Sequence, residues 1–285
     1  MILDIIVNIY NKEKTLLNLY NKLEDELNNI KHRYFFVDNA STDKSLEILK
    51  NIQKKNEAYV KIISLSKKHD KESCIYAGIS NTKHELICIY DTDLNTSVSY
   101  ITKMYDTLKN NKDIDSVCMY TNYKETNFIK KCKLKLINKV YDLNIDNNKT
   151  YYRMFRRNVL NAIISLTNNY QFNNYSFEMI GFNTKYINFD NSKSINEDIT
   201  NYICFSQSPF NILISVDLIL LSIFILLFIL SLFKLLKISN IILLFTIILV
   251  SIINIYLLYI TSKFFNKQKT YFTIKSKIGF DEEIL

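Results

Sequence analysis

Tryptophan is absent from this chain of 285 residues, proline occurs once and glycine three times. With so little glycine and proline, the usual punctuation of turns and helix ends is missing, so elements have to be read from hydrophobic periodicity. Neither G-x-G-x-x-G nor G-x-x-x-x-G-K-[ST] occurs, which removes the usual signatures of dinucleotide cofactors and of P-loop nucleotide hydrolysis. The five cysteines, Cys74, Cys88, Cys118, Cys132 and Cys204, show no C-x-x-C spacing, and His32, His69 and His84 lie far apart with no H-x-x-x-H or H-x-E pattern. A zinc centre and a disulfide framework are therefore disfavoured, and the cysteines read as reduced packing residues. Met1–Tyr10 carries Asp4 and lacks a basic start and a cleavage site, so no signal peptide is expected.

What is present is a basic, apolar chain whose net charge of +8 suits an anionic substrate or a membrane surface as readily as nucleic acid. Its length allows one large domain or two small ones. The first part alternates strand and helix patterns. Ile2 to Ile9 is a β-branched run; Leu16, Leu19, Leu23 and Leu27 recur at helical spacing; Tyr34–Val37 is a second strand. Leu46, Ile48, Leu49 and Ile52 form a helix face, Val60–Leu65 a third strand, Ser73–Asn81 a helix, and Leu86–Tyr90 a fourth strand. Such alternation predicts a parallel, doubly wound sheet whose strand ends meet at one crevice. Asp38, Asn39, Asp43, Lys71, Asp91 and Asp93 all fall at or just past those ends. Asp91-Thr92-Asp93 offers two hard oxygen donors with room for water and phosphate, which suits Mg²⁺ or Mn²⁺; taken alone, it is also an ordinary loop sequence. Lys67, Lys68 and Lys71 flank a helix N-terminus, where an anion is favoured, although a solvated loop explains them as well.

Taken together, four segments in one order carry a resemblance. Asn8-Ile9-Tyr10-Asn11-Lys12-Glu13 is similar to a P-x-Y-N-E opening, with Asn8 in place of proline, and Val37-Asp38-Asn39-Ala40-Ser41-Thr42-Asp43 to V-D-D-G-S-T-D. Leu65 to Gly78 is similar to L-S-R-N-x-G-K-E-x-A-x-x-A-G, and Asp91-Thr92-Asp93-Leu94-Asn95 to D-A-D-L-Q. Residues 2 to about 120 thus resemble the catalytic domain of family 2 glycosyltransferases that use polyprenyl phosphates. The resemblance implies an α/β fold, the A-type nucleotide-sugar domain with a mostly parallel, doubly wound sheet. It also implies donor-binding roles for Tyr10, Asn11, Glu13, Asp38, Asn39 and Lys71, and a metal held by Asp91, Asp93 and Asn95. Tyr152-Arg153-Met154 takes the place of D-F-R-L, with Tyr151 at the acidic position, and Ile180-Gly181-Phe182 matches an I-G-F stretch. Arg153, with Arg156 or Arg157 as alternates, is expected to hold the acceptor phosphate in the bidentate way a guanidinium allows. The basic segment that should follow is reduced to Asp190–Ser194.

Further along, residues 124–142 hold six lysines against two acids interleaved with apolar residues. As a helix this stretch would suit an anionic membrane surface or would pack on the domain, and the resemblance favours the membrane. Residues 212–233 and 241–260 are apolar runs long enough to cross a hydrocarbon core of roughly 30 Å. The expected organisation is a cytoplasmic transferase domain over 1–205, two transmembrane helices within 206–262, and a basic cytoplasmic tail over 263–285, the lysines of the tail setting the orientation.

The expected activity is transfer of a sugar from a UDP- or GDP-type donor to a polyprenyl (dolichyl or undecaprenyl) phosphate, metal-dependent and inverting. Asp91, Asp93 and Arg153 carry the catalysis in this reading. Its partners are the nucleotide sugar, the lipid phosphate and the membrane, with homo-oligomer formation left open. No nucleic-acid partner is expected, because the membrane accounts for the charge. A processive polysaccharide synthase would need a Q-x-x-R-W stretch, and this chain has no tryptophan. The alternative is a weak or inactive relative that serves as a membrane scaffold or binding subunit, motivated by Asn39, Tyr151 and the reduced basic segment.

Overall fold

In the computed structural model the described residues are 1–94, 96–122, 146, 148–167, 172–189 and 272–280, with isolated positions at 131, 132, 135, 138, 139, 222, 253 and 256. The chain divides into two compact units, the first made of Met1–Glu125, Asp146–Glu197 and Lys269–Leu285 and the second of Thr126–Ile145 and Asp198–Gln268. The first unit contains the sheet and every strand end at which a candidate site residue lies.

Four strand-then-helix steps build its first half. They are β1 (Leu3–Ile9) and α1 (Leu16–Leu27), β2 (His32–Asp38) and α2 (Ser45–Lys55), β3 (Val60–Leu65) and α3 (Lys71–Ile79), and β4 (Leu86–Tyr90) and α4 (Ser99–Asn110). These agree with the sequence periodicity to within about two residues at most ends. Then come β5 (Ser116–Thr121), β6 (Lys149–Arg156), α5 (Arg157–Thr167), the single turn α6 (Ser176–Met179), β7 (Thr184–Phe189) and β8 (Ile274–Ile278). The eight strands form one sheet in the order β7-β5-β6-β4-β1-β2-β3-β8.

The central strands are buried on both faces, which is why they read as continuous apolar runs. Side chains alternate along β1: Ile5, Val7 and Ile9 join the layer formed with Leu16, Leu23 and Leu27 of α1, Leu49 of α2 and Met104 of α4, while Ile6 joins Ala77 of α3 and Leu160 of α5 on the other face. Helix α3 lies so close to β1 that a Cβ on Gly78 would fall 2.4 Å from Ile6 Cγ2, so one of the three glycines is dictated by packing. At the N-terminal end of β1 the fully buried Asp4 accepts hydrogen bonds from the backbone N–H groups of Lys83 and His84, at 3.0 and 2.9 Å, and pairs with His84 Nδ1 at 2.6 Å.

Two features go beyond the expected sheet. It is parallel in most of its pairings but mixed: β1–β2, β1–β4, β2–β3 and β5–β7 pair parallel, as expected, while β4–β6, β5–β6 and β3–β8 pair antiparallel. Strand β6 enters between β4 and β5, an insertion that hydrophobic periodicity alone cannot reveal. The segment expected to be a basic cytoplasmic tail, with no element assigned to it, supplies β8, which completes the edge beyond β3. It is held by Ser66 N–H donating to Thr273 O at 2.9 Å and by Phe280 packing against Phe35 with centroids 6.0 Å apart. Gly279 follows with φ +81, and a Cβ there would lie 2.8 Å from Val60 O.

The basic stretch 124–142 is described only at isolated positions, and Asp190–Ser194 and the apolar runs 212–233 and 241–260 lie outside the described residues but for Ser222, Ile253 and Tyr256. Among the described residues no helix is long and apolar enough to cross a membrane.

Candidate active site at the strand ends

The loops after β1 and β2 are stitched together by their own polar side chains. Asn11 Oδ1 accepts from Thr42 N–H at 2.9 Å, while Asn11 N–H donates to Ser41 Oγ at 3.1 Å. Glu13 and Asp43 reciprocate: Asp43 Oδ2 accepts from Glu13 N–H at 3.0 Å and Glu13 Oε2 from Lys44 N–H at 3.1 Å. Asn11 and Glu13, expected to bind the donor, thus spend these acceptors on loop geometry and shape the rim of the crevice. Two residues of these loops have left-handed backbone, Asn11 with φ 51 and Ala40 with φ 54. The resembling motif has glycine at the position of Ala40, and the backbone here shows why.

Asp38, at the end of β2, is buried, accepting from Ser41 N–H and Ser64 Oγ, each at 3.2 Å. The amide of Asn39, next to it, is engaged within the protein. It donates from Nδ2 to His69 O at 2.9 Å and accepts from His69 N–H at 2.8 Å, a paired contact that clamps the loop before α3. An aspartate could accept from that N–H but could not donate to the carbonyl, so asparagine gains a structural role here. Tyr10 lies under the Lys68 ammonium, 4.1 Å from its ring centroid.

The structure brings Lys71, Asp91 and Asp93 together as the candidate centre. Asp70 caps α3 by accepting from Ser73 N–H at 2.7 Å, which sets Lys71 on the first turn. From there Lys71 Nζ reaches both oxygens of Asp91, at 2.7 and 2.6 Å, and Asp93 Oδ2 at 3.5 Å. Lys12 Nζ lies 3.6 Å from Asp93 Oδ1. Burial pushes the Lys71 ammonium down, but the Asp91 charge and its hydrogen bonds outweigh this and hold it above the usual lysine value. The Asp91 side chain is 4% exposed and that of Asp93 64%, so one carboxylate anchors the pair and the other presents to solvent.

Among the described residues no group of three or more His, Cys, Asp and Glu comes together. Two carboxylates without a closed cage are the donor set of a hard divalent ion that shares its remaining positions with phosphate and water, and they fit Mg²⁺ or Mn²⁺. Asn95, the expected third ligand, lies outside the described residues.

Beside this group, a cavity of about 630 Å³ runs between α1 and the segment after β4, lined among others by Lys12, Lys22, Thr92 and Ser97.

Arg153 is not brought to the crevice. Among the described residues it is the largest fully buried side chain: Nε and a terminal nitrogen donate to Thr150 O at 3.3 and 2.8 Å, that terminal nitrogen also donates to Asn174 Oδ1, and the guanidinium carbon stands 3.8 Å from the Phe177 ring centroid. Its alternates are equally committed, Arg156 to the carbonyls of Leu108 and Ile114 around the end of α4, and Arg157 to those of His84 and Thr82. The acceptor-phosphate role expected of these arginines is therefore corrected, because their donors are taken by backbone carbonyls and by the side-chain oxygens of Asn174 and Thr82. Sequence reading missed the pair that lies beside Lys71. Tyr151 O–H donates to Glu72 Oε1 at 3.1 Å and accepts from Asn174 N–H at 2.8 Å, and its ring centroid is 5.9 Å from Lys71 Nζ. Burial raises the Glu72 carboxyl above its ordinary value. The signal was the tyrosine at a position where the motif has an acid.

The fold carries carboxylates and a lysine at its strand ends, and comparison with known proteins gives the family. The model of glycosyl transferase family 2 matches residues 4–164, and the chain belongs to that family. It is 28% identical over 193 residues to an uncharacterized glycosyltransferase of Synechocystis, sll0501, covering 66% of this chain and 60% of that protein. It is 22% identical over 169 residues to an undecaprenyl-phosphate 4-deoxy-4-formamido-L-arabinose transferase of Pseudomonas fluorescens, covering 57% and 49%. The chain thus spans about half to three-fifths of the length of these curated relatives. Among solved structures it is similar to glucosyl-3-phosphoglycerate synthase of Mycobacterium tuberculosis in complex with Mn²⁺, uridine diphosphate and phosphoglyceric acid, at 12% identity over 69% of this chain and 72% of that one, with a TM-score of 0.48.

Proposed function

We propose that this chain is a membrane-bound glycosyltransferase that moves a sugar from a nucleoside-diphosphate sugar to a polyprenyl phosphate, with inversion at the anomeric carbon. The observation that carries the reading is the Lys71–Asp91–Asp93 group at the end of β4 and the start of α3. In this reading a phosphate oxygen of the acceptor forms a bond to the anomeric carbon while the bond from that carbon to the donor diphosphate breaks, and the nucleoside diphosphate leaves. The acceptor phosphate is anionic near neutral pH and needs no strong base to attack. A divalent ion held by Asp91 and Asp93, when bound, supplies Lewis-acid stabilisation of the departing diphosphate, typically worth several kcal/mol. Lys71 adds a fixed positive charge, and Tyr10 with Lys68 lines the donor side.

Three further features support the lipid acceptor and the membrane. One relative bears the name of an undecaprenyl-phosphate sugar transferase. Two apolar runs of spanning length occur at 212–233 and 241–260. The strand that follows both runs, β8, pairs with β3 of the same domain, as an even number of crossings requires. With the lysines of the C-terminal segment, this argues for the domain and that segment on the cytoplasmic side.

The test is transfer of radiolabelled sugar into an organic-extractable lipid by membranes expressing this chain, with a panel of UDP and GDP sugars and Mn²⁺ or Mg²⁺. Label that enters the lipid phase, and is lost on chelation and in Asp93→Ala, is the expected result. The commitment of Asn39 and of all three arginines to structural bonds favours a second reading, a scaffold or binding subunit. Folded protein that transfers nothing across the panel would establish that reading instead.

A further inference from the structure

We infer that Lys71 is a built-in counter-cation of the Asp91–Asp93 pair, so that this protein takes up its divalent ion only together with a nucleoside diphosphate. This rests on the transferase reading of the site and concerns the order in which the site fills.

Two observations carry it. First, the ammonium is seated on the pair: Lys71 Nζ stands 2.7 and 2.6 Å from the two Asp91 oxygens and 3.5 Å from Asp93 Oδ2. A Mg²⁺ or Mn²⁺ ion held by Asp91 and Asp93 would compete with this ammonium for the same carboxylate oxygens. Second, each carboxylate is matched by a lysine, Asp91 by Lys71 and Asp93 by Lys12 at 3.6 Å. A divalent ion arriving alone would therefore meet a neutralised pair and would have to strand the Lys71 charge, whose side chain is only 32% exposed.

A diphosphate removes that obstacle. It supplies the negative charge that lets the ion and the ammonium share the crevice, and it gives Lys71 a new partner at the N-terminal turn of α3, where phosphate is favoured. The lysine would release Asp91 to the metal as it takes a phosphate oxygen, with no bond made or broken. Lys71 is in this sense a positioning residue with two successive anionic partners. The consequence is that the empty enzyme holds no metal that could bind a stray phosphate, and that metal and donor affinities are coupled.

The experiment measures Mn²⁺ binding directly, through the loss of the electron paramagnetic resonance signal of the free ion, with the full-length protein in detergent. It compares the parent with Lys71→Met, Lys71→Arg and Lys12→Met, each with and without UDP or GDP, and circular dichroism checks that each is folded. The expected result is weak Mn²⁺ binding by the parent alone, at least tenfold tighter binding when the nucleotide is present, and at least tenfold tighter binding of Mn²⁺ alone by Lys71→Met. Lys71→Arg keeps the charge and should stay near the parent, and Lys12→Met, which uncovers only the exposed Asp93, should tighten Mn²⁺ binding by less than Lys71→Met does. Folded Lys71→Met that binds Mn²⁺ no better than the parent, or a parent that binds Mn²⁺ as tightly without nucleotide as with it, would overturn the inference. Should Lys71→Met not fold, Lys71→Gln replaces it and is read by the same criterion, with nucleotide and Mn²⁺ without protein as the reference. The reading of the site as a transferase fails differently: neither nucleotide binds, while Lys71→Met still gains affinity for Mn²⁺ alone.

Discussion

Replacing Arg153 separates a clamp for the acceptor phosphate from a buried strut. In the structure its guanidinium is fully buried, donating twice to Thr150 O and once to Asn174 Oδ1 and stacking over Phe177. Arg153→Met keeps an unbranched side chain of comparable length and removes all of those interactions. Hydrogen bonds to a charged group are worth about 1.5–3 kcal/mol each and a desolvated cation–π contact about 2 kcal/mol. Removing the charge returns part of this, because burying a guanidinium costs several kcal/mol of hydration. A net loss of about 3 kcal/mol remains, which for a domain of this size lowers Tm by roughly 6–12 °C. The assay is thermal unfolding by circular dichroism, alongside nucleotide affinity and the KM for a short polyprenyl phosphate. A large fall in Tm is the expected outcome. An unchanged Tm with a selective rise in the acceptor KM would refute the reasoning and return Arg153 to the site.

Other consequences are as direct. Because burial raises the Glu72 carboxyl, the stability it contributes is fully present below about pH 4.5, its ordinary value, and is lost as pH rises through the raised one. Glu72→Gln keeps an acceptor for the Tyr151 hydroxyl, so it should raise Tm at neutral pH and leave it unchanged in acid; a lower Tm at neutral pH would contradict this. Ala40 has φ 54, a conformation that costs an L-residue about 1–2 kcal/mol, of which glycine's greater freedom in the unfolded chain takes back about 0.5–1 kcal/mol. Ala40→Gly should therefore move the urea midpoint upward by a small, measurable amount, and a downward shift would speak against strain at this turn. Gly279→Ala places a Cβ 2.8 Å from Val60 O at φ +81 and should cost about 1–3 kcal/mol. Hydrogen exchange should then quicken first in Ile274–Ile278 and in its partner β3, and uniform quickening across the sheet would show that β8 is no separate edge.

How far the site could be read beforehand depended on how local each signal was. Asp91 and Asp93 were legible because a short apolar run ending in two carboxylates at one-residue spacing is complete within ten residues. The lysine that pairs with them lies twenty residues earlier, and the sequence placed it near the same crevice without saying that it sits on Asp91. Asn39 read as a ligand-facing variant of an acid because its true partner, the backbone of His69, is thirty residues away. Arg153 read as a phosphate ligand because it stands where the resembling segment has its arginine and a guanidinium can hold phosphate in a bidentate way. Only the packing of β6 against Asn174 and Phe177 shows that it is fully buried.

The sequence by itself determined the alternation of strands and helices, since hydrophobic period is a property of neighbouring residues, and with it the strand ends where the carboxylates had to lie. It also contained the family's segments in their order. The tertiary structure alone decided which strands pair, and in which direction. A segment near residue 275 completes the edge of β3, and β6 separates β4 from β5. It alone also decided which polar side chains bond within the protein and which remain for a ligand, because hydrogen-bond partners far apart in the chain meet only when the sheet has formed.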